Sequence, residues 1–287
     1  MNHYTRFRAY QLGEEGSSFS LSVDNHFTLI EAKVNSINVE HINWELQLLS
    51  KNTIDTLHIT SWDTDHCDEV SLNYILECLH PTVVEFPGYV PDSDTGKSCL
   101  NIINNYSCDK KIKVSPYYVV CSKIRGKRLV ANDVFFNPTK IVDKHNDNSV
   151  VKFFRTGSFQ VLSLGDCENP EISSNLSTDE ILKNEVDILI LAHHGSENSI
   201  CTMDFLRAIN PKVAICSSNY DNKFEHPHSV IRQRLNQLGI PLFTTKTGDI
   251  IAQTVDKYSF KISNYISNNE HKESSKMFMN KTYYVND

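Results

Sequence analysis

The stretch Ser61-Trp62-Asp63-Thr64-Asp65-His66 puts two carboxylates and an imidazole within four residues, directly after the apolar, β-prone run from Ile54 to Ile59. Carboxylate oxygen and imidazole nitrogen together make the mixed donor set suited to Zn, Mn or Fe(II). A plain turn is the other reading, since Asp and Thr are ordinary loop residues and Asp65 could cap the helix that follows. Three later stretches raise the same question. Leu164-Gly165-Asp166 presents a carboxylate at a strand tip, although Gly-Asp is also a common turn. Leu189-Ile190-Leu191-Ala192 leads into His193-His194-Gly195-Ser196, and adjacent imidazoles at the end of a buried strand are costly without a partner or a metal. Neighbouring side chains of a strand diverge, so one of the two is expected to face a shared centre and the other to contact substrate or hold the loop. Finally, His226-Pro227-His228 precedes a helix, where one His could reach the same centre or where His228 or Ser229 could act as a cap. Taken together, four strand-end clusters of Asp and His converge best on one metal centre.

The elements that must position these clusters are legible from apolar periodicity. Phe7–Leu12, Ser17–Val23 and His26–Ala32 read as strands, the last two joined at Asp24-Asn25. Glu40–Ser50 has helical spacing, Ile54–Thr60 is a strand, and Val70, Leu72, Ile75, Leu76 and Leu79 mark a helix closed by His80-Pro81. Thr82–Phe86 is expected as a strand, Pro87–Gly96 as a loop and Cys99–Tyr106 as a helix. Strands follow at Ile112–Cys121, Val150–Phe154 and Gln160–Leu164. The second half alternates more plainly. Asp187–Leu191 and Pro211–Cys216 are strands, and Thr202–Ile209 and Ser229–Leu238 are helices, the latter stopped by Gly239. Leu242–Thr244, Ile250–Thr254 and Tyr258–Ile262 finish as strands. Repeated strand-then-helix halves predict two sheets covered outside by helices, in one domain over residues 1–265. The polar tail, 266–287, is expected to be partly disordered.

A chain of 287 residues can bury a large core, and 40% hydrophobic with 22% charged residues is an ordinary globular composition. A net charge of −7 gives no global basic signature for nucleic acid. Locally, Lys123, Arg125, Lys127 and Arg128 form a strip that suits phosphate contacts or, equally, a solvated loop. The eight cysteines include no C-x-x-C pair and several sit in apolar runs, as buried free thiols do, so a reduced, cytoplasmic protein is expected. No apolar run approaches the roughly 18 residues that span a bilayer, and no membrane association is expected.

The order of motifs resembles the metallo-β-lactamase superfamily, and within it the branch that includes the hydrolase domain of the competence protein ComEC. That branch carries an H-x-D-x-D-H signature, a strand ending in Gly-Asp, an apolar strand followed by His-His-Gly-Ser, a His-Pro before a helix, and a Thr-x-x-Gly strand pair. Here these read Ser61 to His66, Gly165-Asp166, His193 to Ser196, His226-Pro227-His228 and Thr244 to Gly248. The resemblance implies an αββα sandwich of two mixed sheets flanked by helices, with one or two divalent ions, Zn or Mn, at one edge. It implies Asp63, Asp65, His66 and Asp166 as ligands, Asp166 bridging if two ions bind. One of His193 and His194 and one of His226 and His228 would complete the shell or touch substrate. In the assignment taken forward, His193 and His226 are ligands and Asp65 and His194 are catalytic, Asp65 orienting a water. Ser61, Ser196, His228 and the Lys123–Arg128 strip are then substrate contacts. Two departures stand out. Ser61 replaces the leading His, and Gly13-Glu14-Glu15-Gly16-Ser17 and Glu31-Ala32-Lys33 replace the family's Gly-x-Gly-Asp and Asp-x-Gly turns. Between the signature and Gly-Asp no further His ligand is evident, because His80 closes a helix and His145 lies in a polar loop.

An oxygen-rich donor set suits phosphoryl chemistry better than an all-His one, which predicts a metal-dependent phosphodiesterase or nuclease acting on DNA, RNA or a nucleotide. The alternative of another class is a binding or regulatory subunit, with a partner protein, that keeps the fold and has lost the chemistry; Ser61 favours it. Hydrolysis of a lactam, thioester or lactone uses more His-rich shells and ranks last.

Overall fold

The computed structural model describes residues 3–110, 113–115, 134–142, 144–266 and 271–281. Alternating, β-branched segments near the start form β1 (Thr5–Ala9), β2 (Phe19–Val23) and β3 (His26–Ile30), an antiparallel meander. Its second turn pairs Val23 with His26, and Asp24 takes a left-handed φ of +52° that a short polar side chain tolerates. From β3 the chain crosses over through α1 (Val39–Leu48) into β4 (Thr56–His58), then through α2 (Glu69–Tyr74) into β5 (Val83–Glu85), and through α3 (Asp94–Lys110) into β6 (Lys113–Ser115). These last four strands are parallel. Asp68, rather than Asp65, caps α2, accepting from the Ser71 backbone N–H at 2.9 Å, which leaves Asp65 free for other work. A π-helical turn at Ile75–Leu79 extends α2 up to the left-handed His80. Helix α3 starts at Asp94, inside the segment expected as a loop, because Ser93 caps its first turn through Gly96 N–H.

The second half builds β7 (Val134–Phe136), β8 (Val151–Phe154), β9 (Val161–Ser163), β10 (Ile188–Ile190), β11 (Val213–Cys216) and β12 (Leu242–Thr244) into a sheet ordered β12-β11-β10-β9-β8-β7. Strands β9 to β12 are parallel; β7 and β8 are antiparallel. Helices α4 (Pro170–Ser177), α5 (Glu180–Glu185), α6 (Met203–Ile209) and α7 (Ser229–Gln237) pack on its outer face. The first two were not anticipated, since their window is polar. Their signal is the caps: Asn169 before Pro170, and Asp179 accepting from Leu182 N–H at 3.0 Å. The chain then returns to the first sheet with β13 (Ile250–Asp256), β14 (Ser259–Ile266) and β15 (His271–Met279), giving the order β15-β14-β13-β1-β2-β3-β4-β5-β6.

Three apolar layers follow. Phe7, Phe19, Phe159, Val161, Ile188, Ile250 and Phe260 fill the space between the sheets. Ile42, Leu57, Leu72 and Ile103 pack α1 to α3 against the first sheet, and Leu162, Leu189, Phe205 and Ile231 pack α4 to α7 against the second. The architecture is therefore the αββα sandwich, two mixed sheets face to face with helices outside. Within the polar tail His271–Met279 is a strand, paired with β14 from Ser259↔Met279 to Ile266↔His271, and it extends the first sheet beyond residue 265. One apolar anchor accounts for it: Phe278 stacks on Phe260 at 5.4 Å. Lys281 then ties the end down, its backbone N–H on Asp187 at 2.7 Å and its ammonium on the Ile209 carbonyl at 2.6 Å, at the C-terminus of α6. No helix among the described residues is long and apolar enough to cross a membrane.

One polar group links the sheets through their interior. Glu85 on β5 accepts from His58 Nδ1 on β4 at 2.8 Å and from the Lys152 ammonium on β8. Burial alone would raise the Glu85 pKa, but the His58 hydrogen bond and the Lys152 charge outweigh it and bring it down to about 2. Its stabilising contribution is therefore complete above the ordinary Glu value, about 4.3, and is lost as pH falls through about 2. Urea unfolding of the wild type is expected to lose stability across that window. Glu85→Gln should be less stable at pH 6 and show a flatter acid limb; parallel limbs would contradict the assignment. In the apolar layer, Phe159→Ala, which removes a ring 4.9 Å from Phe260, should cost about 3–5 kcal/mol in the same assay.

Candidate metal centre

The polar clusters sit at the C-terminal ends of parallel strands of both sheets, where open α/β sheets bind ligands. After β4 comes the Thr60–His66 loop, after β9 Gly165-Asp166, after β10 the His193-His194 pair, and after β11 the stretch from Ser217 to His228. Gly165 (φ +53°) allows the close approach: a Cβ there would lie 2.9 Å from Ser149 Cβ and 3.0 Å from Thr60 Oγ1. His193 and His194 have left the strand and take left-handed φ values of +45° and +52°, a strain of about 1–3 kcal/mol each that surrounding bonds must hold. His193 N–H donates to the Gly165 carbonyl at 3.0 Å, and His228 N–H to the Gly195 carbonyl at 3.0 Å. The turn opens the angle between the two imidazoles, which point to different partners.

Asp65, His66, Asp166 and His194 each bring one donor atom into a set whose members all lie within 4.8 Å of one another. His66 Nε2 is 2.9 Å from Asp166 Oδ1 and 4.0 Å from Asp65 Oδ2; His194 Nε2 is 3.0 Å from Asp65 Oδ2 and 4.0 Å from Asp166 Oδ2. The far side of each ring is already occupied. His66 Nδ1 faces Glu31 Oε1 at 3.2 Å and Thr60 Oγ1 at 3.3 Å, while His194 Nδ1 donates to the Ser217 carbonyl at 3.1 Å. An acceptor on Nδ1 sets the tautomer that bares Nε2, the arrangement by which proteins aim imidazoles at metals. His66 Nε2 is buried and, despite its closeness to Asp166, makes no well-formed hydrogen bond. The donor set fits a divalent ion.

Electrostatics agree. Burial favours the neutral form of Asp65 and Asp166, but the charges of His66 and His194 outweigh it and hold both carboxyls below the usual range. Burial likewise opposes protonation of the two imidazoles, yet Asp166, ahead of the other carboxylates, raises both. A divalent cation would compensate the same carboxylates that raise the two imidazoles.

The remaining expected residues lie around this set. Asp63 turns away: Oδ2 accepts from Ser61 Oγ at 2.8 Å and Oδ1 is 3.1 Å from His145 Nδ1. Ser61 is buried and engaged with Asp63. Of the histidine pair, His194 joins the four, whereas His193 Nδ1 meets Glu168 Oε1 at 2.7 Å and its Nε2 stands 4.0 Å from Asp166. The His226 ring lies 6.3 Å from His194 and 5.8 Å from His193, facing the same cleft; burial, followed by the neighbouring histidines, lowers its pKa to about 4. His228 spends both ring nitrogens on the backbone, accepting from Glu197 N–H at 2.8 Å and donating to the Phe224 carbonyl at 2.9 Å. Ser196 lines the cleft. Lys123, Arg125, Lys127 and Arg128 lie outside the described residues.

Sequence reasoning missed Glu31, Glu168 and His145 as members of the site. Glu31, in the turn that departs from the family's Asp-x-Gly, supplies a supporting acid. It is 1% exposed, left-handed at φ +69°, and accepts from Thr60 N–H at 2.9 Å and Thr60 Oγ1 at 2.5 Å while facing His66. The altered first turn is also used: Ser17 N–H donates to the Asp65 carbonyl at 3.0 Å, and Gly16 packs too close to that carbonyl for a side chain. The Glu31-Ala32-Lys33 position in the motif order was the available signal. His145 gave none, because only the one-turn 3-10 segment His145–Asn148 brings it to Asp63.

No protein-family model matches the chain. It is similar to ComE operon protein 3 of Bacillus subtilis, 30% identical over 100 residues that make up 35% of this chain and 12% of that protein. It is also similar to competence protein ComA of Neisseria gonorrhoeae, 40% identical over 58 residues, 20% of this chain and 8% of that one. The matched stretches thus span a small part of each relative's length. Among solved structures, the metallo-β-lactamase fold protein YhfI of Bacillus subtilis aligns over 88% of this chain and 100% of its own, with 9% identity and a TM-score of 0.48. Its layers and the order of its strand-end motifs resemble those of the metallo-β-lactamase fold.

The support from Glu31 is testable. Glu31→Gln should lower affinity for a divalent ion about 10–100-fold, read by competition with a chromophoric chelator. An unchanged affinity would remove Glu31 from the site.

Proposed function

We propose that this chain is a metal-dependent phosphodiesterase, acting on nucleic acid or a nucleotide. The observation that carries the reading is the convergence of Asp65, Asp166 and the Nε2 atoms of His66 and His194, of which Asp65 and His194 line a cleft of about 600 Å³. Asp65, His66, Asp166 and His194 would hold one ion, zinc or manganese, which when bound polarises a phosphoryl oxygen and lowers the pKa of water. Two carboxylates in the set favour phosphoryl chemistry over the His-rich shells of lactam hydrolases. Asp65, the more exposed of the two acids (31% against 5% for Asp166), lines the cleft and is the carboxylate able to accept from a water there. Its depressed pKa makes it an orienting acceptor more than a proton sink. His194 Nε2 stands 3.0 Å from Asp65 Oδ2, so the two donors face the same point from opposite sheets.

A second reading has its own observation. Ser61 occupies a ligand position and locks Asp63 away from the four-residue set, which supports a single-ion centre and, at the extreme, a binding or regulatory subunit. Metal analysis of the purified protein, followed by hydrolysis of bis-p-nitrophenyl phosphate and of single- and double-stranded DNA with Mn or Zn, separates the readings. Phosphodiesterase activity predicts one ion per chain and turnover that falls at least roughly 100-fold in Asp65→Ala. An ion without turnover would favour the regulatory subunit. No ion and no turnover, with Asp65→Ala indistinguishable from wild type, would sink the enzyme reading. Salt-sensitive loss of DNA cleavage on replacing Lys123, Arg125, Lys127 and Arg128 would favour nucleic acid over a free nucleotide.

A further inference from the structure

The cleft above the metal centre has an unusual lining for a site that handles phosphodiesters: among its described residues there is no Lys or Arg. Its walls are hydroxyls and amides with rings between them, together with the carboxylates of Glu15, Asp63 and Asp65. Trp62 is 1% exposed and donates its indole N–H to the Tyr89 carbonyl, so its faces are spoken for. Phe224 is different, because half of its surface is open to solvent at the cleft wall. Its ring lies against His226 (5.5 Å, 23° between planes), and His226 is nearly parallel to His194 (6.3 Å, 10°). Three rings in shared orientation lead from the cleft wall down to a member of the four-residue set.

The loop that presents Phe224 is held rigidly. Asn222 accepts from His226 N–H at 2.6 Å and donates to the Asn219 and His226 carbonyls at 2.9 and 3.1 Å, and His228 Nε2 donates to the Phe224 carbonyl itself. A pre-organised aromatic face can take a flat partner with little further ordering. The Asn219 amide, on the same cleft wall, has no hydrogen-bond partner among the described residues and offers a donor and an acceptor to a ring edge. Lys223 stands at the rim with its ammonium 4.7 Å from the Phe224 ring and 3.0 Å from Glu15. Both partners of that pair are well exposed, so the bond is weak and the ammonium is free to leave the ring for an incoming phosphate.

Resting on the phosphodiesterase reading above, we infer that Phe224 is a specificity-determining residue: a stacking platform for one nucleobase of the substrate, whose phosphate then lies toward His194 and Asp65. A flat, uncharged ring contact with a free amide beside it reads a base by its face and edge. This makes the substrate a nucleobase-bearing phosphodiester engaged one unpaired nucleotide at a time, because a base inside a duplex has no free face to offer.

The test is a binding comparison, which stands whether or not turnover is seen. Affinities of the full chain loaded with Mn are measured by calorimetry for thymidine 5′-monophosphate and for deoxyribose 5-phosphate, which lacks the base. The ratio is expected to favour the nucleotide roughly 5- to 100-fold, the range set by base–aromatic stacking. Phe224→Ala should bring the ratio close to one and Phe224→Tyr should keep it; a general loss of the site would scale both affinities together and leave the ratio alone. A wild-type ratio near one, or a ratio that survives Phe224→Ala, overturns the inference. Absence of hydrolysis with the ratio intact would instead count against the phosphodiesterase reading alone.

Discussion

Asp166 is a carboxylate with almost no access to water, and its charge is tolerated only because two imidazoles converge on it. Much else in the structure serves that balance. Glu31 and Thr60 orient His66 from one side, and the Ser217 carbonyl orients His194 from the other. The tight turn at Gly165 delivers Asp166 between them, and the first turn of the chain braces Asp65 through its backbone. The centre is therefore better described as a closed set of compensations than as four independent ligands.

The frame around it is built to resist the forces it concentrates. Backbone strain at Glu31, His193 and His194 would relax if the loops were free, yet each loop springs from a short strand buried on both faces. The interior layer between the sheets and the two helix-covered layers fix those strand ends relative to one another. The Glu85–His58–Lys152 contact adds a polar tie across the interior, from the parallel part of one sheet to β8 of the other.

What the sequence disclosed, and what it withheld, divides along physical lines. Apolar runs ending in Asp or His marked the strand tips, because burial of the run and exposure of its end are both written in residue type. That is why Asp65, His66, Asp166 and the His193-His194 pair were visible. Which histidine of the pair faces the centre was not, since strand alternation was the natural assumption and the chain instead makes a left-handed turn. Glu31 stood out only as a departure from the family's turn, because its role depends on a backbone angle that no spacing encodes. Helices α4 and α5 were hidden by polar composition, with only their caps to betray them. The strand β15 was hidden because Phe278, a single buried anchor, is too little for periodicity to register.

The four-residue set draws its members from different parts of the molecule. Asp65 and His66 follow β4 of the first sheet; Asp166 and His194 follow β9 and β10 of the second. An ion held there would act as a clasp across the two halves of the sandwich, and its binding free energy would be added to the resistance of the fold to unfolding. Heat tolerance then becomes a gauge of metal supply. A cell starved of the ion would hold a form of this protein that opens more readily along the seam between its sheets, and proteases that act on opened chains would clear it first.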